Sequence, residues 1–305
     1  MLHSRRLRQR AILMSSLRSF FAARGFLEVD TPIRQPVIIP ERNIEPLRSG
    51  DAFLQTSPEL SMKRLLAQGC SKIFQICPCF RKNEKGRRHL EEFTMLEWYH
   101  SGENYQKLME DCEHLLRHVL RELSAADALE DAVAPFFPGY DLQKDWEKIT
   151  VKEAFQRYSP CSLQQSLSDN SFDEILVEYV EPHLGMGSPA FLIDYPLELG
   201  SLARAKADNP HVVERFELYL GGVELANGFT ELTDEGEQRR RFCQELKEIE
   251  NSWGPDLVMP ERFLFDLGRL QGAAGIALGV DRLLMLALGI DDINDVVTFS
   301  PADFF

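Results

Sequence analysis

Residues 79–100 read CFRKNEKGRRHLEEFTMLEWYH. In the second half, Glu92, Glu97, Tyr99 and His100 interleave with Phe93, Met95, Leu96 and Trp98, the pattern of a strand with one polar face. The apolar KIFQICPCF (72–80) is its outgoing partner, and RKNEKGRRH (81–89) is the loop between them. Burying carboxylates beside Trp and Tyr costs free energy unless something uses them. A hairpin whose loop is rich in Arg, Lys and His and whose return strand is acidic therefore points to a ligand that carries both charges.

Working outward, RLRQRAILMSSLRSFFAARG (6–25) repeats apolar residues at helical spacing, with Gly25 as a C-terminal stop. FLEVDTPI (26–33) alternates as a strand up to Pro32, and residues 35–51 read as a loop or edge segment. A helix opens at SPELSMKRLLAQGC (57–70), where Ser57 caps, Pro58 suits the first turn and Glu59 suits the positive helix end. NYQKLMEDCEHLLRHVLREL (104–123) is an amphipathic helix. SPCSLQQSLSDNSF (159–172) reads as polar surface loop, with short helices on either side. AFLIDYP (190–196) is a buried strand, and ERFELYLGGVELANGFTEL (214–232) is a hairpin turning at Gly221–Gly222. An exposed charged helix follows (234–252), and GIALGVDRLLMLALG (275–289) is a strand, a tight turn and a helix. With no internal repeat and no linker, the pattern predicts one α+β domain, an antiparallel sheet with helices packed on it.

The chain has 305 residues, 44% hydrophobic and 27% charged, an ordinary composition for a soluble globular protein. Its basic N-terminus leads into no apolar run with a cleavage site, so no signal peptide is expected. The longest apolar run (272–289) carries Asp281 and Arg282 at its middle, and each would cost about 2.5–3.5 kcal/mol at a membrane centre. Six scattered cysteines predict reduced thiols and a cytoplasmic location. Cys77, Cys79 and His89 lack structural-zinc spacing. The net charge of −14 disfavours extended nucleic-acid binding, while the basic clusters at 5–10, 81–88 and 239–241 suit small phosphate ligands.

CFRKNEKGRRHLEEF with TMLEWY, and GIALGVDRLLM, resemble the second and third signature motifs of class II aminoacyl-tRNA synthetases. The helix–strand unit ending at Pro32 resembles the first, which in that family forms a dimer interface. TSPELSMKRLL and GVELANGFTEL narrow the resemblance to the lysyl branch, and within it to truncated relatives that load (R)-β-lysine onto elongation factor P. The chain starts at the first-motif helix, so no N-terminal anticodon-binding barrel and no tRNA anticodon binding are expected. The resemblance implies ATP and Mg²⁺, an aminoacyl-adenylate, a protein acceptor (elongation factor P) and a homodimer.

By family position, Arg81 clamps the α-phosphate and Arg282 the γ-phosphate, as the two catalytic residues. Asn83, Glu84, His89, Glu224, Leu225 and Gly279 complete the nucleotide site, and Glu224 with Glu217 would hold magnesium. Gly275 and Gly279 would let backbone approach the nucleotide. Ser57, Pro58, Glu59, Tyr99, Asn227, Glu231 and Ala277 would form the amino-acid pocket, and Glu97 would hold either Arg81 or the substrate amine. Taken alone, Glu59 reads as helix-start electrostatics and Glu224 as a polar strand residue; the neighbouring motifs assign them to the site. Ordinary lysyl enzymes usually carry Ala at the position of Ser57 and Gly at that of Ala277, which favours β-lysine over α-lysine.

The chain also departs from the family. Asn83 stands where the second motif has Glu, with Glu84 one residue later, and Leu90 replaces an Asn that contacts ATP. Other readings are therefore a ligase for α-lysine or asparagine, or a nucleotide-binding regulator without ligase activity.

Overall fold

The computed structural model describes residues 4–127, 136–254 and 257–304. Helix α1 (Ser4–Ala22) buries Leu13, Leu17, Phe20 and Phe21, and the chain reverses at Gly25. There φ is +75°, which only glycine adopts at little cost. The strand expected up to Pro32 is short: β1 (Leu27–Glu28) pairs with the sheet, and the Val29 N–H adds one bond to Phe74 O at 2.9 Å. Beyond it the chain leaves the edge, at a proline that has no N–H to offer. The segment read as a loop or edge, together with its flanks, forms a small ribbon, β2 (Arg34–Gln35), β3 (Arg48–Ser49) and β4 (Ala52–Leu54), in the order β2-β4-β3.

Next come α2 (Glu59–Ala67), the long strands β5 (Lys72–Phe80) and β6 (Glu92–Ser101), and α3 (Tyr105–Asp127). The middle third holds β7 (Glu147–Thr150), α4 (Val151–Tyr158), α5 (Leu163–Ser168) and α6 (Phe172–Ile175). Only α5 lies where the sequence suggested surface loop; α4 and α6 are the short helices expected on either side of it. Ser162 caps α5 by accepting from the Gln165 N–H (3.2 Å), and Leu163, Leu167 and Phe172 anchor α5 and α6 to a satellite core. These few apolar anchors are diluted by polar outward positions, so no helical stripe stands out. The chain continues through β8 (Ala190–Pro196), β9 (Val212–Leu220), β10 (Val223–Thr230), α7 (Glu235–Ser252), α8 (Glu261–Leu267), β11 (Ala273–Gly279) and α9 (Val280–Leu288).

Eight strands form the main sheet in the order β1-β5-β6-β11-β10-β9-β8-β7. The six central strands are antiparallel, as expected, whereas β1 and β7 join in parallel, so the sheet is mixed. One face carries Phe74, Leu96, Trp98, Ile276, Leu278, Phe216 and Leu218 and forms the main core with α1, α3 and α9. Strand alternation sends the intervening residues to the opposite face. There the register lines up Gln75, Glu97, Ala277, Asn227 and Glu217 across five strands. A parallel row contains Ile73, Tyr99, Gly275, Phe229 and Arg215. Simple alternation would put Glu224 opposite to Asn227. A bulge between Glu224 and Ala226 inserts one residue and brings both to the same face.

Candidate active site

A cavity of ≈ 330 Å³ opens on that polar face. Its walls include the predicted Ser57, Glu59 and Tyr99 at one end, and Arg81, Glu84, His89 and Arg282 at the other. Glu224, Leu225, Asn227, Ala277 and Gly279 lie along the strands between. Four predicted residues stand outside the wall. Pro58 serves as the residue before α2, with no side-chain cap of its own. Glu231 lies behind Gly275 and Tyr99, Glu217 lines an adjoining cavity, and Asn83 turns away.

The Asn83 displacement follows from the backbone. Its φ is +66°, its N–H donates to Glu91 Oε1 (3.0 Å), and its amide donates to Glu45 Oε2 (3.0 Å). Asparagine tolerates this left-handed conformation better than Glu does. The next residue, Glu84, instead lines the cavity and stands 3.6 Å from Arg81. The loop thus presents a carboxylate one residue later than the family motif does. Leu90, in place of the family's Asn, also lines the cavity.

Arg81 begins the loop after β5, with its guanidinium 5.3 Å from the Phe93 ring centre and Nε donating to Thr56 O at 3.4 Å. Arg282 sits in the first turn of α9. It donates to Glu224 O (2.6 Å) and Arg88 O (3.2 Å), and its Nη2 lies 2.6 Å from His89 Nε2. Burial and the nearby Arg282 charge hold the His89 pKa below its usual value, so the ring is neutral and accepts this bond. Buried Asp281 anchors the same turn: it accepts from Arg10 of α1 (2.6 Å) and from the Thr94 N–H of β6 (2.6 Å). The main core thereby fixes the angle at which Arg282 enters the cavity.

The opposite end is acidic. Ser57 accepts from the Glu59 N–H (3.0 Å) and donates to Glu97 in a short bond, while the Tyr99 hydroxyl donates to Glu97 at 3.0 Å. Between the two roles left open for Glu97, the structure ties it to Ser57 and Tyr99, not to Arg81. Burial first, and then the Glu59 charge, push the Glu97 carboxyl well above its usual pKa. An ammonium arriving here would reverse that shift, and Glu97 would bind it as an anion.

Sequence reasoning missed Lys63. It projects from α2 between Glu59 and Glu231, bonded to the first and 2.5 Å from the second. Burial pulls its pKa down, but the two carboxylates more than offset this and keep the ammonium charged. Burial raises Glu231 and Lys63 opposes it. The Lys63–Glu231 approach is not aligned as a hydrogen bond, so both Glu231 oxygens lack a donor among the described residues. The helical i,i+4 spacing of Glu59 and Lys63 was the available signal. Gly275, which lines the cavity, also leaves the room that Tyr99 occupies. A Cβ there would overlap the Tyr99 ring and stand 2.6 Å from Glu231 Oε1.

Arg215 and Glu41 were also missed. Arg215 is stacked 4.3 Å from the Tyr195 ring centre and pairs with Glu217 at 2.6 Å. Its Nε donates to Asn227 Oδ1 (3.2 Å), which leaves the Asn227 NH₂ free to face the cavity. Glu217 further accepts from the Tyr219 hydroxyl at 2.7 Å. Its carboxyl is raised by burial and then by the Glu224 charge, and the neighbouring Glu181 is pushed up to about 7 by burial, Glu224 and Glu217. Such mutual repulsion is what a divalent cation relieves. No three acidic, His or Cys side chains form a ready metal cage among the described residues.

The model of the tRNA synthetases class II (D, K and N) matches residues 3–303. The chain belongs to this class II synthetase family. Curated relatives align along nearly their whole length. A protein of Proteus mirabilis named elongation factor P–(R)-β-lysine ligase is 39% identical over 95% of this chain and 93% of its own. Proteins of the same name from Salmonella gallinarum and Salmonella typhi are 38% and 37% identical, each over 96% of this chain and 94% of its own.

Proposed function

We propose that the chain is an ATP-dependent ligase that activates (R)-β-lysine as an adenylate and transfers it to a lysine of elongation factor P. The observation that carries this reading is the polarity of a single cavity: two guanidiniums at one end, and Glu59, Glu97 and Glu231 around the other. A triphosphate and a cationic amino acid fit such a site only side by side, with the carboxylate next to the α-phosphorus.

In the first step a substrate carboxylate oxygen attacks the α-phosphorus and pyrophosphate leaves. Arg81 bridges the two anions with its planar fork, a geometry Lys lacks. Arg282 holds the departing end, with His89 steadying its guanidinium. Asn227 donates to the substrate carboxylate. Glu224 would hold Mg²⁺ together with phosphate oxygens, and Glu217 would join once its pair with Arg215 loosens; the ion supplies charge neutralisation. Positioning and preorganised charge supply most of the acceleration.

The Ser57–Glu97 bond gives a physical basis for the substrate choice. The Ser57 hydroxyl occupies Glu97 Oε1, and the Ala277 methyl faces Glu97 across the sheet. Both features crowd an α-ammonium and leave room for an amine one carbon further along.

The two leucines and the isoleucine exposed near the first motif, Leu7, Leu27 and Ile33, suit a homodimer interface. No described helix is long and apolar enough to cross a membrane. All six cysteines are free thiols, as a reducing cytoplasm would keep them. The test is incubation with ATP, (R)-β-lysine and elongation factor P, read by intact mass. A gain of one β-lysine is expected; modification by α-lysine only would overturn the substrate assignment.

A further inference from the structure

Next to the main cavity lies a second one of ≈ 220 Å³. The two share Glu41, Ile44, Ser201, Arg215 and Asn227. Asn227 marks where the activated carboxyl would lie, so the second cavity adjoins the reacting carbon through a wall that contains neither Arg282 nor Glu84. Its wall contains the carboxylates of Glu41, Asp173, Glu198, Glu217 and Glu245 against the guanidiniums of Arg42 and Arg215. Such a passage repels pyrophosphate and attracts an amine.

Glu198 is exposed to solvent, and among the acids held further inside Glu41 is unlike the rest. Glu217 is held by Arg215, Glu245 accepts from the Arg42 N–H at 2.8 Å, and the nearby Glu45 is held by Lys82. The Glu41 carboxylate makes no hydrogen bond or ion pair with any described residue. It is half-buried and lines both cavities at their junction.

We propose that the second cavity admits the acceptor's lysine side chain, and that Glu41 takes the first proton from its ammonium. The proposal rests on the ligase reading. The ammonium gives one proton to the Glu41 carboxylate, and the neutral Nζ attacks the adenylate's carbonyl carbon. The carbon–oxygen bond to phosphate then breaks, AMP leaves with the electron pair, and the second nitrogen proton goes to the leaving phosphate. Burial and the charges of Glu59 and Glu245 push the Glu41 pKa up to about 7, with Arg81 and Lys63 opposing. A base poised near the working pH is the efficient kind.

The test separates the two half-reactions. Pyrophosphate exchange reports activation, and single-turnover chase of preformed adenylate with elongation factor P reports transfer. E41Q is expected to slow transfer about 100-fold or more relative to exchange, and E41D, which keeps the carboxylate, to recover part of it. The wild-type transfer rate should level off above about pH 7, a break that E41Q lacks. At the exposed rim, the D173K/E198K pair should raise the acceptor KM about tenfold, an effect that fades in high salt. Equal losses of exchange and transfer in E41Q, or transfer at the wild-type rate, would overturn the role of Glu41 while leaving the ligase reading intact. An unchanged acceptor KM in D173K/E198K would overturn the entry route. A wild-type protein that exchanges with no lysine would overturn the ligase reading and this proposal together.

Discussion

Replacing Lys63 by Met tests the electrostatic core of the amino-acid pocket. The side chain is 2% exposed, and its partners Glu59 and Glu231 are 11% and 0% exposed. Breaking a buried pair by removing one partner costs about 3–5 kcal/mol, because the remaining charge is left without compensation. Here Glu231, already raised by burial, loses the ammonium that opposed that rise, and it can discharge by binding a proton at about 1.4 kcal/mol per unit between its pKa and the solution pH. Its folded-state pKa then lies further above the unfolded one. Groups of that kind leave stability intact below the unfolded pKa, and stability is lost as pH rises through the folded value. K63M should therefore melt close to wild type near pH 5 and fall progressively behind towards pH 9. With an unfolding entropy of about 2.1 cal/mol/K per residue over 305 residues, 3–5 kcal/mol corresponds to a Tm loss of about 5–8 °C at the alkaline end. Differential scanning calorimetry across that pH range is the assay. The double variant K63M/E231Q should recover part of the loss, since it removes the more deeply buried acid. A K63M protein melting within about 1 °C of wild type at pH 8 would refute the argument, as would a loss independent of pH or a double variant that is merely additive.

G275A should raise the amino-acid KM sharply, because its Cβ would drive Tyr99 off Glu97. It should also lose about 1–3 kcal/mol of stability through overpacking; steady-state exchange kinetics that match wild type would refute this placement of Tyr99. R282K keeps the charge but cannot reproduce the three-way contact to Glu224 O, Arg88 O and His89. Its exchange rate should fall about 100- to 1000-fold with little change in Tm, and a near-wild-type rate would remove Arg282 from the list of phosphate-holding groups.

The sequence displayed the sheet face more clearly than the site's outline, and the reason is geometric. Period-two alternation in EFTMLEWYH and GIALG fixes which residues share a face, so Glu97, Tyr99 and Ala277 could be grouped from pattern alone. Glu224 could not be joined to Asn227 that way, because a bulge reverses the alternation between them. A bulge depends on pairing with β9 and has no local signal in GVELANG. Asn83 and Glu84 pose the same problem in a loop: the left-handed φ at Asn83 decides which of two neighbours faces the cavity. Asparagine at that position was the only sequence sign of it. The two parallel edges and the helix of residues 163–168 escaped because their signals are a few residues long and are settled by distant contacts.

Lys63 and Glu41 illustrate two further limits. The i,i+4 spacing of Glu59 and Lys63 fits an exposed salt bridge as well as a buried one, and only packing against Phe229 and Glu231 makes it part of the pocket. Glu41 sits in a segment with no periodicity at all. Its distinction is the absence of a partner in a neighbourhood where Glu45, Glu217 and Glu245 each have one. Pairing is a property of the assembled fold, so a lone carboxylate becomes recognisable only after its neighbours have been assigned. Surface acids in water cost little to leave alone, whereas an acid half-buried between two cavities is raised in pKa and destabilises the fold at neutral pH. A residue that weakens its own fold at the pH where it operates is accounted for most simply by chemistry at the junction it occupies.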